Sequence, residues 1–235
     1  MDNRIEFRVW GKFALFTDPI TKIGGEKCSY LIPTYEALKG IARSVYWKPT
    51  FIWVVDRMRV MKRIRTQTKG MKPLDYSAGG NTLAFYNYLS DVEYQISAHF
   101  EWNENLPELA GDRNDGKHHS IALRTLERGG RRDIFLGTRE CQGYVESCRF
   151  GEGEGELDED GELALGLMFH SFSYPEESGA DELRSRFWRP LMSGGVVNFP
   201  RPEDCEIVKH VRPMSPNRFV PHVNFSGHEE EGLLG

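Results

Sequence analysis

Between residues 4 and 150 the apolar pattern switches between a period of two and a period near 3.6, in the order strand, helix, strand, strand, helix, strand. Residues 4–10 alternate polar and apolar from Arg4 to Trp10, the mark of a half-buried strand. Thr34 can cap a helix running to about Tyr46, with Leu38, Ile41, Ala42 and Val45 on one face. Pro49 stops it, because the residue before a proline avoids helical angles. Tyr46 is therefore expected at the helix end, its side chain free to point out of the core. Phe51–Val55 reads as a buried strand and residues 56–76 as basic and irregular. Residues 93–100 alternate again, and a polar loop from Asn103 to Gly116 leads into a helix at about 117–128, ended by Gly129-Gly130. Residues 133–136 and 143–150 read as strands. This is the ferredoxin-like split βαβ order, with inserted loops. Beyond it, the pattern predicts a strand over Leu163–Phe172, a helix over about Ala180–Met192, a tail broken by prolines, and disorder from Gly227 to Gly235.

Charge is divided unevenly along the chain. Residues 1–150 hold 23 Lys and Arg against 18 Asp and Glu, a net of +5; residues 151–235 hold 7 against 17, a net of -10. The basic half suits a polyanion, and the acidic half suits other neighbours. Seven acids fall within the eleven positions 152–162, a pattern of a solvated hairpin tip or linker that does not match a calcium loop. No apolar run reaches the roughly 18 residues of a membrane span. The start, Met1-Asp2-Asn3-Arg4, lacks the apolar core of a secretory signal, so the chain reads as cytoplasmic. Cys28, Cys141, Cys148 and Cys205 form no CxxC pair and read as reduced, mostly buried thiols.

The strongest electrostatic signal is residues 57–72, where Arg57, Arg59, Lys62, Arg63, Arg65, Lys69 and Lys72 occur with no acid among them. Such a stripe can neutralise phosphates and release their counterions, although a lysine-rich strand edge in solvent gives the same pattern. Arg131, Arg132 and Arg139 form a second cluster around Gly129-Gly130 and Gly137, where glycine would let the backbone approach a phosphate closely. The segment with the most chemistry is Asp115-Gly116-Lys117-His118-His119-Ser120, at a loop-to-helix junction whose free N–H groups suit a phosphate. Histidine titrates near neutral pH and lysine supplies a permanent cation. RNA cleavage without metal needs a base for the ribose 2′-OH, a donor to the phosphate charge and an acid for the leaving oxygen. Alone, Lys-His-His is a weak signal, and only one of two successive histidines can face a substrate. His99, His170, His210, His222 and His228 read as core or surface residues. Phosphate-binding glycine loops, the HExxH and HxH metal patterns and the GxSxG nucleophile elbow are all missing from the sequence.

Several longer stretches carry a resemblance. They include Ala14–Pro19, Lys22–Lys27, Pro33–Ile41, Ser44–Thr50, Gly80–Ala84, Asp112–His118, Arg131–Cys141 and Phe199–Cys205. In this order the sequence resembles the type I-C (Dvulg subtype) CRISPR-associated endoribonuclease of the RAMP superfamily, up to about residue 220. The resemblance implies an α+β fold, with an N-terminal ferredoxin-like (RRM/RAMP) domain over 1–150 and a smaller β-rich domain over 151–235. It implies cleavage of precursor CRISPR RNA at the 3′ base of the repeat hairpin, without metal or other cofactor. It also implies retention on the 5′ handle of the mature guide RNA beside other Cascade subunits. The family's catalytic tyrosine, lysine and histidine match Tyr46, Lys117 and His118, and the RNA-binding residues expected are Arg57, Arg59, Lys62, Arg63, Arg65, Arg131, Arg132 and Arg139. Two other readings stand beside this one: a guide-RNA-binding subunit of Cascade that does not cut, and a metal-dependent DNA nuclease built on the acids of 152–162.

Overall fold

The computed structural model describes residues 3–19, 21–75, 77, 79–220 and 223–226. The disorder expected over Gly227–Gly235 lies outside the described residues. The first half runs β1 (Arg4–Ala14), β2 (Lys27–Cys28), α1 (Tyr35–Val45), β3 (Phe51–Val60), β4 (Thr66–Met71), β5 (Ala84–Trp102), α2 (Asp115–Glu127), β6 (Ile134–Phe135) and β7 (Gln142–Ser147). The second half adds β8 (Glu162–Ala164), β9 (Met168–Ser173), α3 (Pro175–Ser178), β10 (Glu182–Trp188), β11 (Leu191–Ser193), β12 (Val196–Asn198) and β13 (Ile207–Pro213).

Four strands form the antiparallel centre in the order β7-β1-β5-β3, the ferredoxin-like arrangement. In β1 the alternation holds as read: Ile5, Phe7 and Val9 are buried and the residues between them face outward. Helix α1 buries Leu38, Ile41, Ala42 and Val45 against the sheet, and the Thr34 hydroxyl caps it by accepting the Ala37 N–H at 3.2 Å. Trp53, Tyr35, Tyr46, Phe7, Phe51 and Phe100 are the largest fully buried side chains.

Three expectations change. Residues 56–76 are not irregular: β3 runs to Val60, and after a short break β4 pairs with the first half of β5, Thr66 opposite Leu89 to Met71 opposite Ala84. The 19-residue β5 thus carries β3 and β4 end to end along one edge, a pairing no local pattern announces. The Leu163–Phe172 strand is broken at Gly166, whose φ of +74° turns the chain. Its halves, β8 and β9, belong to different sheets. The helix expected over Ala180–Met192 is two strands, β10 and β11. Within β10, Leu183 and Ser185 are buried while Arg184 and Arg186 are not, a period of two that pairing with β9 and β13 enforces over helical propensity. Strands β8, β11 and β12 extend the main sheet beyond β3, through Val196 opposite Arg59, and β13-β10-β9 form a separate three-stranded sheet.

His170, on β9, ties that small sheet to α1. Its ring stacks on Tyr35 at 4.3 Å and meets Trp188 edge-on at 5.5 Å. Burial drives its pKa down to about 4. The unfolded chain therefore binds a proton between pH 6.5 and 4 that the native state refuses, so stability falls as pH drops through that window. The expected loss is about 3 kcal/mol. Urea melts at several pH values should show a flatter acid slope for His170→Phe, which keeps the ring stack. An unchanged slope would remove His170 from the account.

Candidate functional site

Helix α1 ends because Tyr46 leaves helical angles, at φ -156° and ψ 136°, while its N–H still bonds to Ala42 O. In that extended stretch successive side chains face opposite ways. Tyr46 therefore turns inward and is fully buried, contrary to the outward orientation expected for it, and Trp47 turns outward. The Tyr46 carbonyl accepts from Trp53 Nε1 at 2.7 Å, which fixes the turn.

The Tyr46 hydroxyl lies 2.8 Å from Nδ1 of His118, 72 residues away in sequence. His118 sits in the first turn of α2, which starts at Asp115 because the Asn114 side chain caps it, accepting the Lys117 N–H. Its ring is wholly buried among Phe51, Phe100 and Trp102, with centroids 5.3, 6.2 and 5.7 Å away. His118 Nε2 is 2.7 Å from the Asp112 carbonyl oxygen and 3.5 Å from Asp112 Oδ2, and Oδ2 accepts from Thr50 Oγ1 at 2.6 Å. A carbonyl can only accept, so Nε2 carries a proton. In the neutral imidazole Nδ1 is then the acceptor, and Tyr46 donates to it. The order Asp112, His118, Tyr46 places a basic ring nitrogen against a phenolic proton.

Lys117 is exposed, because one residue turns an α-helix by about 100°. His119 turns further and its Nε2 meets the Arg4 carbonyl at 2.8 Å. Asp112 and Thr50, which hold the histidine, carried no local signal. Asp112 stands in a stretch that bore the resemblance, and only its burial against His118 gives it a role.

The expected RNA-binding residues divide. Arg59 is buried, and its guanidinium donates to both Asp158 carboxylate oxygens, to the carbonyls of Glu152 and Gly153 at 3.3 and 2.9 Å, and to Gln95. The acidic run is thus a clasp over β3 rather than a free hairpin tip: Glu156 also accepts the Arg63 backbone N–H at 3.0 Å, and Asp160 pairs with the exposed Arg63 guanidinium at 3.4 Å. Lys62 pairs with Asp91 at 2.7 Å, and Arg57 lies 4.1 Å from the centre of the Phe150 ring. Arg65, Arg131, Arg132 and Arg139 are exposed. Arg131 and Arg132 sit beside the end of α1, where both backbone N–H groups bond to the Ser44 carbonyl. There they line a cleft of about 190 Å³ with Arg43, Trp47 and Lys48.

Residues 4–200 match the Cas5d model of the family described as CRISPR-associated protein (Cas_Cas5). The chain belongs to the Cas5d family. A relative from Mannheimia succiniciproducens, named CRISPR pre-crRNA endoribonuclease Cas5d, is 41% identical over 231 residues, covering 85% of this chain and 96% of the relative. A Thermus thermophilus protein of the same name is 28% identical, covering 80% of each chain. A functionally uncharacterized protein from Streptococcus mutans has a similar solved structure, with TM-score 0.73 and 39% identity, over 88% of this chain and 96% of that one. A solved structure of a CRISPR-associated protein gives TM-score 0.74 at 36% identity over the same shares. The Cas5d family is the one the sequence motifs resemble, and the two solved structures share this chain's α+β fold. Among the described residues, no helix is long and apolar enough to cross a membrane.

Proposed function

We propose that this chain is a metal-independent endoribonuclease. It cuts precursor CRISPR RNA at the 3′ base of the repeat hairpin and stays on the 5′ handle of the guide within a cytoplasmic type I-C Cascade complex. The observation that carries this reading is the Tyr46–His118 hydrogen bond, formed by two of the three residues that the family's motifs single out. His118 Nδ1 takes the proton of the ribose 2′-OH, directly or through the Tyr46 hydroxyl. The 2′-oxygen then attacks the adjacent phosphorus, and the bond to the 5′-oxygen breaks. Lys117 stabilises the phosphorane charge, and the protonated site returns the proton to the leaving oxygen. The products are a 2′,3′-cyclic phosphate and a 5′-OH. In the free protein the imidazole is sealed and both its nitrogens are engaged. Bound RNA must therefore exchange one of those hydrogen bonds for its own.

The same burial favours a second reading, in which the pair only braces the fold and the chain is a guide-RNA-binding subunit that does not cut. Incubation of the purified protein with its repeat hairpin in EDTA separates the two. Cleavage with cyclic-phosphate and 5′-OH ends supports the enzyme, and binding without cleavage supports the second reading. Activity lost to EDTA and regained with a divalent ion would refute metal independence.

A further inference from the structure

The cleft at the end of α1 has the chemistry of a nucleotide site, and part of the chain already lies in it. Its lining includes Arg43, Lys48, Arg131 and Arg132, and no carboxylate among the described residues. Trp47 supplies an aromatic surface, with the Arg43 guanidinium 4.8 Å from its ring centre. A cationic groove with a ring for a base to stack on is the signature of single-stranded nucleic-acid binding. The cleft also lies on the outer side of the turn whose inner side holds Tyr46.

Phe219, Asn224, Phe225 and Ser226 line it as well. The Phe219 ring meets Trp47 edge-on at 6.1 Å, and Lys48 Nζ donates to the Ser226 carbonyl with the Phe225 ring 5.5 Å away. The Asn224 side chain accepts from the Val220 N–H at 2.7 Å and donates to the Arg218 carbonyl at 3.0 Å, so these residues hold one another. An aromatic ring on Trp47 and an oxygen on Lys48 are what a nucleotide would offer through its base and its phosphate.

We propose that this cleft binds one unpaired nucleotide of the RNA, with its base on Trp47 and its phosphate on Arg131, Arg132 and Lys48, and that Phe219, Phe225 and Ser226 occupy it until RNA displaces them. The proposal rests on the reading of the chain as an RNA-binding protein. Affinity for the repeat RNA, measured by fluorescence anisotropy across a salt series, tests both. Trp47→Ala should weaken binding by roughly 5- to 150-fold, the range for one lost base stack. Arg132→Gln, at an exposed position, should lower the salt slope by roughly one. Phe219→Ala/Phe225→Ala in the full chain should tighten binding by about threefold or more, because a self-occupied site lowers apparent affinity by its free fraction. A wild-type protein that binds no repeat RNA defeats the RNA reading and this subsite together. Wild-type binding with unaltered affinity and slope in Trp47→Ala and Arg132→Gln overturns the subsite alone. Loss in those variants with no gain in the phenylalanine pair overturns the occupancy by Phe219 and Phe225.

Discussion

His118→Ala should still bind the repeat hairpin with nearly wild-type affinity and cleave it at least 10²-fold more slowly, within the 10²–10⁴ range of general acid–base catalysis. Binding survives because the ring is fully buried and makes no surface that RNA could touch in the free state. The variant also loses stability. Removing the imidazole deprives Tyr46 of its acceptor and the Asp112 carbonyl of a donor inside an aromatic shell, a cost of about 1–3 kcal/mol before any cavity term. Rates are therefore measured at a temperature where melting shows the variant folded. Lys117→Ala complements this, since its exposed side chain contributes little to the core. It should melt like wild type and still lose roughly 10²–10³ in single-turnover rate, as when a donor to a developing anion is removed. Wild-type cleavage by His118→Ala would show that the imidazole is a brace and that the chemistry lies elsewhere.

The parts of this protein that could be read in advance are those set by local pattern. The alternation in β1 and the apolar stripe of α1 follow from which face each residue buries, whereas β5 was legible as a strand although Tyr94 to Ala98 are all buried. The parts that could not be read depend on partners distant in sequence. Nothing in Arg57–Lys72 says that β3 and β4 will lie end to end on β5, nor that acids a hundred residues later will clasp Arg59 and Arg63. A stripe of cations without acids looked like one phosphate surface, yet its most buried member is neutralised from within the fold. The direction of Tyr46 was misread for a related reason. A residue at a helix end can face either way, and only the extended angles after Val45 decide it. The motifs named Tyr46, Lys117 and His118. That two of them share a hydrogen bond is a tertiary fact.

Gly137 gives the sharpest contrast between a sequence reading and its physical cause. Beside Arg131, Arg132 and Arg139, it was read as a place for a phosphate to approach the backbone. The space is taken by the protein itself. Gly137 has φ +95°, and a Cβ there would lie 2.0 Å from the Leu15 carbonyl oxygen and 2.6 Å from its carbon. Both atoms are backbone, held where Leu15 N–H bonds to the Leu136 carbonyl at 2.9 Å, so the loop before β7 is pinned over the end of β1. Gly137→Ala must then bear left-handed strain of roughly 1–3 kcal/mol and displace main chain at a similar further cost, about 4 kcal/mol in all. Against a total stability of roughly 5–15 kcal/mol, that lowers the melting temperature by about 10 °C or more. Gly129→Ala is the control: φ is +84° but nothing lies within 4 Å, so it carries the strain without the collision and should melt between wild type and Gly137→Ala. RNA affinity measured well below both melting points should be unchanged in either variant. If Gly137→Ala instead melted normally and lost RNA, the glycine would be making room for a phosphate, and the contact with Leu15 would not be what requires it.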